Sequence, residues 1–461
     1  MSKRIAVLLI VLAIVGVSSY VYLQNMPSPQ RQPKSPSPNL PTEDRLTKSD
    51  QKAVEENING FNTEDDLRIT QGAQEAGESR MLSLSQQQQA QLVKDTGSPK
   101  QNAVVVQEYN TTLPETIRNK VQYHKYQISF DYFLITAENG AEIRESPASN
   151  AAVVCRVNYL DKISLLQKVE AEEIQGSKIW YKVACSHNNQ TEVGYLHSTT
   201  GVPRAFRFAK MQEAVNKLNQ ELAKGELHFI SNYKNQNGPP PRKDDAAVDE
   251  HGYRFYHSAP AYVRADTGSD FRYIPDGMLV RILNEVGDFY YVNVPSFGGD
   301  FYIPKQYIDK AAVLSRLNQV VVVDRNQQNQ AAFETRENGL DLISYTLSTT
   351  GLAGDGSFET PLGSYKVINK VDRFEYLQKN TSDVAGYAPF AIRFTGGAYI
   401  HGVPVEYEEK NGEKVDPGTK EYLHTIGTFP RSHMCVRNFT SHAEFLYNWM
   451  DGQNGAVIVI E

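Results

Sequence analysis

Near its end the chain reads Ser432-His433-Met434-Cys435-Val436-Arg437, with a histidine two residues before a cysteine and an arginine two residues after it. A thiol attacks a carbonyl as its thiolate, and a cation close by can lower the thiol pKa from about 8.5 by one to several units. Cys435 is therefore a candidate nucleophile, and His433 and Arg437 are the cations placed to activate it. Upstream, Tyr399-Ile400-His401-Gly402 ends an apolar run on a histidine, and the glycine lets the chain turn sharply after it. His401 is the second catalytic candidate.

Other chemistries compete for these residues. Histidines at 401, 424, 433 and 442 bracket Cys435, so a zinc site built from His433, Cys435 and His442 is one alternative. The usual Cys/His spacings of zinc sites are missing, and no metal is expected. A papain-like endopeptidase puts its cysteine well before the base histidine, whereas only His442 follows Cys435 here. A non-catalytic wall-binding scaffold is the reading from a different functional class.

The two histidine-bearing elements, together with Thr360-Pro361-Leu362-Gly363-Ser364-Tyr365-Lys366-Val367 and the apolar run at 320–323, resemble the L,D-transpeptidase (YkuD-type) family. Its pattern is a TP-x-G-x-aromatic segment, then an apolar residue and HG, then SHGC-I/V-R. The resemblance covers roughly the last third of the chain. It implies acyl transfer in which Cys435 attacks the third residue of a peptidoglycan stem tetrapeptide, with His401 as base, the Gly402 carbonyl orienting its ring, and no cofactor. It also implies that backbone N–H groups at His433, Met434 and Cys435 face the oxyanion, that Ser432 lies on the substrate side, and that Arg437 holds an acidic group of the stem or fixes the loop, against the alternative of a purely structural salt bridge. An amine of a neighbouring stem would complete a cross-link in cell-wall biogenesis; water would make the protein an L,D-carboxypeptidase. Two departures stand out. Met434 occupies the family's glycine position, so the turn must be one that a side chain survives. The polar stretch at 406–422 is inserted between His401 and Cys435 and reads as a surface flap.

The remaining chain has to position this domain. At 461 residues it is long enough for about three domains. Lys3 and Arg4 precede a charge-free run from Ile5 to Leu23, which reads as a membrane anchor, or else a cleaved signal, over 1–25. Either exports the rest to the extracytoplasmic (periplasmic) face of the cell envelope. Residues 26–125, rich in Pro, Ser and Gln with few aromatics, read as a disordered spacer. Short β-branched and aromatic runs at 126–203, and again at 251–310, predict two small barrels. Their A-E-I-R-x-S-P, W-Y-K-V and G-Y-L segments resemble bacterial SH3-like (SH3b) domains, which implies wall-peptide binding or a spacer role. Between them, 204–250 reads as a helix and linker: the apolar residues of 206–222 recur at helical spacing, and Gly238-Pro239-Pro240-Pro241 breaks any helix. The fold class expected is thus mainly β: an N-terminal membrane anchor, two SH3-like β-barrels, and over 311–461 a YkuD-like β-sandwich with a helix near 442–450.

Cys155 and Cys185 fall in two strand-like runs of the first barrel and could bridge, which would leave Cys435 as the odd thiol. The net charge of −7 offers no basic stripe for nucleic acid.

Overall fold

The computed structural model describes residues 63–75, 84–95, 103–187, 190–243, 246–354, 357–377 and 383–461. The expected anchor or signal over 1–25 lies outside them, and among the described residues no helix is long and apolar enough to cross a membrane.

Two antiparallel modules precede the C-terminal domain. The first has strands β1 (Asp131–Ile135), β2 (Ala141–Arg144), β3 (Val153–Val157), β4 (Lys162–Ile174), β5 (Ser177–His187), β6 (Gln190–His197) and β7 (Gly201–Ala205), ordered β3-β2-β6-β5-β4-β1-β7. The second has β8 (Leu227–Ile230), β9 (Ser258–Tyr262), β10 (Phe271–Pro275), β11 (Leu279–Val286), β12 (Phe289–Val294), β13 (Gly299–Pro304) and β14 (Ile308–Leu314), ordered β10-β9-β13-β12-β11-β8-β14. Adding seven to each label of the first order yields the second. Both modules also place a short 3₁₀ turn just before their last strand. The internal repeat therefore extends to the hydrogen-bond ladder. In the first module a disulfide joins Cys155 to Cys185 inside the apolar core.

Two expected boundaries change. The second module begins at Leu227, inside the stretch read as helix and linker, because β8 pairs with β11 and β14. The disordered spacer expected over 26–125 contains, among its described residues, helices α1 (Thr63–Glu75) and α2 (Gln86–Asp95), a strand Val104–Glu108 on β4, and a strand Ile117–Asn119 parallel to a strand of the C-terminal domain. Each strand gains its stability from a distant partner, which composition does not reveal.

Helix α3 (Phe208–Leu222) buries Phe208, Met211, Val215 and Leu218, as its apolar spacing predicts. The C-terminal domain follows as two sheets. One orders the 117–119 strand, β17 (Gly339–Leu347), β16 (Asn329–Arg336), β15 (Gln319–Asp324), β23 (Gly455–Ile460) and β18 (Gly363–Lys366). The other orders β19 (Asn369–Leu377), β20 (Val384–Thr395), β21 (Ala398–His401) and β22 (Val436–Arg437). Val321, Val323, Val457 and Val459 share one core with Ile392, Phe394, Ile400 and Val436 of the second sheet. Val320, Val322 and Ile458 turn the other way, onto α3. Burial on both faces explains why 320–323 is an unbroken run of valines. Helix α4 (Thr440–Trp449) adds Leu446 to the first core.

Candidate active site

The site is built on the edge of the second sheet, where β21 and β22 run parallel with Ile400 opposite Val436 and His401 opposite Arg437. Side chains alternate along a strand. Ile400, Met434 and Val436 therefore enter the core, while Tyr399 and His401 share the opposite face with Cys435 and Arg437. Cys435 packs with Tyr399 and Ala391 and lies diagonally across the ladder from His401. A pairing of two strands thus unites residues 34 positions apart in sequence.

His401 is fully buried, and its Nδ1 lies 2.6 Å from the Gly402 carbonyl. That carbonyl can only accept, so the proton sits on Nδ1 and Nε2 carries the lone pair. Burial lowers the His401 pKa to about 3, with the Arg437 charge acting in the same direction. The ring is a neutral base at any physiological pH.

The turn ahead of Cys435 is held from several sides. Ser432 Oγ donates to the Cys435 carbonyl at 2.5 Å and accepts from the Met434 N–H at 3.3 Å. Thr360, of the TP segment, takes the Gly351 N–H and donates to the Met434 carbonyl, both at 2.8 Å. Gly351 approaches so closely that a Cβ there would lie 2.6 Å from Met434 Cα. The expectation of a turn that suits a side chain is not met: Met434 has φ +157°, at the edge of the range L residues rarely adopt. Its burial in the core at 4% exposure offsets that strain.

The electrostatics also depart from the sequence reading. Burial pushes the Cys435 thiol up to about 11, although a backbone hydrogen bond from Tyr399 and the charges of Arg437 and Arg254 pull the other way. Desolvation outweighs the neighbouring cations because Cys435 is only 5% exposed. Arg437, itself 1% exposed, is paired: its Nη1 lies 2.5 Å from Asp66 Oδ2, and Arg431 Nε lies 2.8 Å from Asp66 Oδ1. Asp66 belongs to α1.

The second module supplies a further wall. Arg254 Nη2 donates to the Gly396 carbonyl, and its guanidinium lies 5.4 Å from the Phe358 ring. The Tyr233 and His257 rings lie tilted at 37° with centroids 4.9 Å apart, and the Tyr233 ring carries the Arg393 guanidinium at 4.3 Å.

Of the residues picked from sequence, Cys435, His401, Gly402, Arg437, Met434 and Ser432 converge, although the Ser432 hydroxyl and the Met434 N–H are engaged with the turn itself. His433 is half-buried and its carbonyl accepts from Phe358 N–H at 3.1 Å. His442 lies elsewhere, with Nε2 3.1 Å from Ser344 Oγ and Nδ1 3.3 Å from Asn438. It joins neither His433 nor Cys435 in a metal site, and it cannot be the base of a papain-like pair. The insertion at 406–422 forms an exposed hairpin, Glu408–Lys410 with Glu413–Val415. Sequence reading missed Asp66, Arg431, Arg254 and Tyr399. Arg431 stands just before the cysteine motif and Tyr399 inside the His401 element; Asp66 and Arg254 carried no local signal.

The family description of the L,D-transpeptidase catalytic domain (YkuD) matches residues 318–460, within the 311–461 expected. No curated protein matches the sequence. Among solved structures, an L,D-transpeptidase from Mycobacterium smegmatis is 13% identical over 41% of this chain and 89% of its own, with a TM-score of 0.25. L,D-transpeptidase 3 from Mycobacterium tuberculosis, in complex with a faropenem-derived adduct, is 18% identical over 35% and 73%, with a TM-score of 0.24. A fused Zn-dependent amidase/peptidase/peptidoglycan-binding domain-containing protein from Clostridium acetobutylicum is 14% identical; this chain covers 52% of that protein, which covers 31% of this one, with a TM-score of 0.22.

Proposed function

We propose that the domain over 318–460 is a cysteine acyltransferase that acts on peptidoglycan stem peptides at the outer face of the cell envelope. The observation that carries this reading is the β21–β22 ladder, which puts Cys435 and a neutral, Nδ1-anchored His401 on one face. In the first step Cys435 Sγ attacks the carbonyl carbon of the third stem residue while its proton passes to His401 Nε2. The tetrahedral oxyanion collapses, the bond to the terminal D-alanine breaks, and His401 returns the proton to that leaving amine. The thioester is then resolved by an amine of a second stem, giving a cross-link, or by water. Backbone N–H groups of His433 and Cys435 face the oxyanion, the Met434 N–H being held by Ser432; loss of one such donor typically costs about 3 kcal/mol. The anchor holds the protein at the membrane, and the two SH3-like modules set the domain at the wall.

Cys435→Ala should abolish both product formation from disaccharide tetrapeptide and the single mass addition from imipenem, while circular dichroism stays native. Labelling that persists in that variant sinks the assignment. The non-catalytic reading is favoured by one feature, the backbone of Met434. If the natural protein is inert and Met434→Gly turns over substrate, Met434 is the block and the scaffold reading takes its place.

A further inference from the structure

Asp66 lies 371 residues from Arg437 in sequence, yet its carboxylate, fully buried, bridges Arg437 and Arg431 beside the nucleophile. Arg437 stands next to His401 in the ladder and two residues from Cys435. Two guanidinium groups converging on one carboxylate are a binding arrangement of high geometric specificity. The occupant is not held as a core helix is held. Among the described side chains of α1 the two buried ones are Asp66 and Thr70, one turn apart, and both are polar; Thr70 Oγ1 accepts from the His424 N–H at 3.0 Å. Leu67 is only partly buried against the core. The helix as a whole is acidic, with Glu64, Asp65, Asp66 and Glu75 against Arg68. Cys435, two residues from Arg437, is 5% exposed and packs on Tyr399 and Ala391.

We propose that Arg431 and Arg437 form a carboxylate-binding subsite next to Cys435, and that α1 fills it with Asp66 as a tethered stand-in for the carboxylate of an incoming peptide. The inference rests on the acyltransferase reading of the site for the identity of that peptide. Opening requires α1 to leave, by competition from a substrate carboxylate or by a pull on the segment before it. Departure of Asp66 frees the Arg437 charge, on the same strand face as Cys435, to favour the thiolate. A site closed in most molecules lowers the apparent rate by the fraction that is open.

The test uses the full chain with its disulfide intact, so that Cys435 is the thiol read. Two variants release α1 by different routes: Asp66→Asn removes the charge, and Thr70→Pro breaks the helix without touching the arginines. Iodoacetamide alkylation of Cys435 should rise about tenfold or more in both, as expected if roughly nine in ten molecules are closed. A synthetic peptide of residues 63–75 added in trans should restore protection in Thr70→Pro, and the same peptide carrying Asp66→Asn should not. Alkylation at the wild-type rate in both folded variants overturns the plug. If one variant does not fold, the other with the peptide decides. Imipenem separates this inference from the one beneath it. Faster alkylation with no imipenem adduct in any variant keeps the plug and removes the acyltransferase; equal imipenem labelling of wild type and both variants does the reverse.

Discussion

In the first antiparallel module β1 and β2 are joined by residues 136–140, whereas in the second the equivalent β8 and β9 are joined by residues 231–257. The longer connection carries Tyr233, Arg254 and His257 onto the strands that hold Cys435. It is anchored there by Asp276, which accepts from Asn232 N–H and from Arg393, each at 2.8 Å. The first module touches the C-terminal half differently: Lys162, buried and with its pKa lowered by desolvation to about 7, donates to the His424 carbonyl at 2.5 Å. One strand order therefore serves two tasks. The ladder fixes a stable frame, and the length of one loop decides whether that frame becomes part of the site.

Three measurements can break or sharpen this contrast. Acid should have the largest effect and should strike the catalytic side. His401, His424 and His442 are each lowered to about 3 from 6.5, by burial first in every case. Between those values the unfolded chain binds protons that the folded chain does not. The stability these histidines contribute is therefore complete above pH 6.5 and falls as the pH drops below it. The loss is about 1.4 kcal/mol per pH unit for each histidine, or about 4 kcal/mol for the three together. Hydrogen exchange at pH 4.5 should show amides of 401–449 opening before those of 131–205; simultaneous opening would make the two regions one cooperative unit.

Next in size is the disulfide of the first module, which closes a loop of sequence separation 30. Cys155→Ser with Cys185→Ser should lower stability by about 3 kcal/mol, read from chemical denaturation, with imipenem acylation at 25 °C unchanged. A loss of acylation in the folded double variant would give the first module a part in the site.

The smallest effect is the mirror image of the second. Arg254 lowers the Cys435 pKa through its charge, so Arg254→Met should raise that pKa further and slow alkylation at neutral pH severalfold. The pH-rate curve of alkylation should shift upward as a whole. An unshifted curve would leave Arg254 as a brace for Gly396 and no more.

Much of this protein was legible before folding, because local chemistry wrote it. The period of α3, the valine run of β15, the repeated modules and the His401, Cys435 and Arg437 motif all follow from residue type at fixed spacing, and short-range sterics and burial are enough to read them. What only the tertiary structure decided came from partners hundreds of residues apart. The strand at 117–119 exists because β17 offers it an edge. The Cys435 thiol is raised because burial outweighs cations that look close in sequence. Met434 keeps a glycine-like backbone because its side chain is buried in the shared core. Asp66 reaches Arg437 because a charge gains most from a counter-charge where water is excluded, and the place where water is excluded is a property of the whole fold.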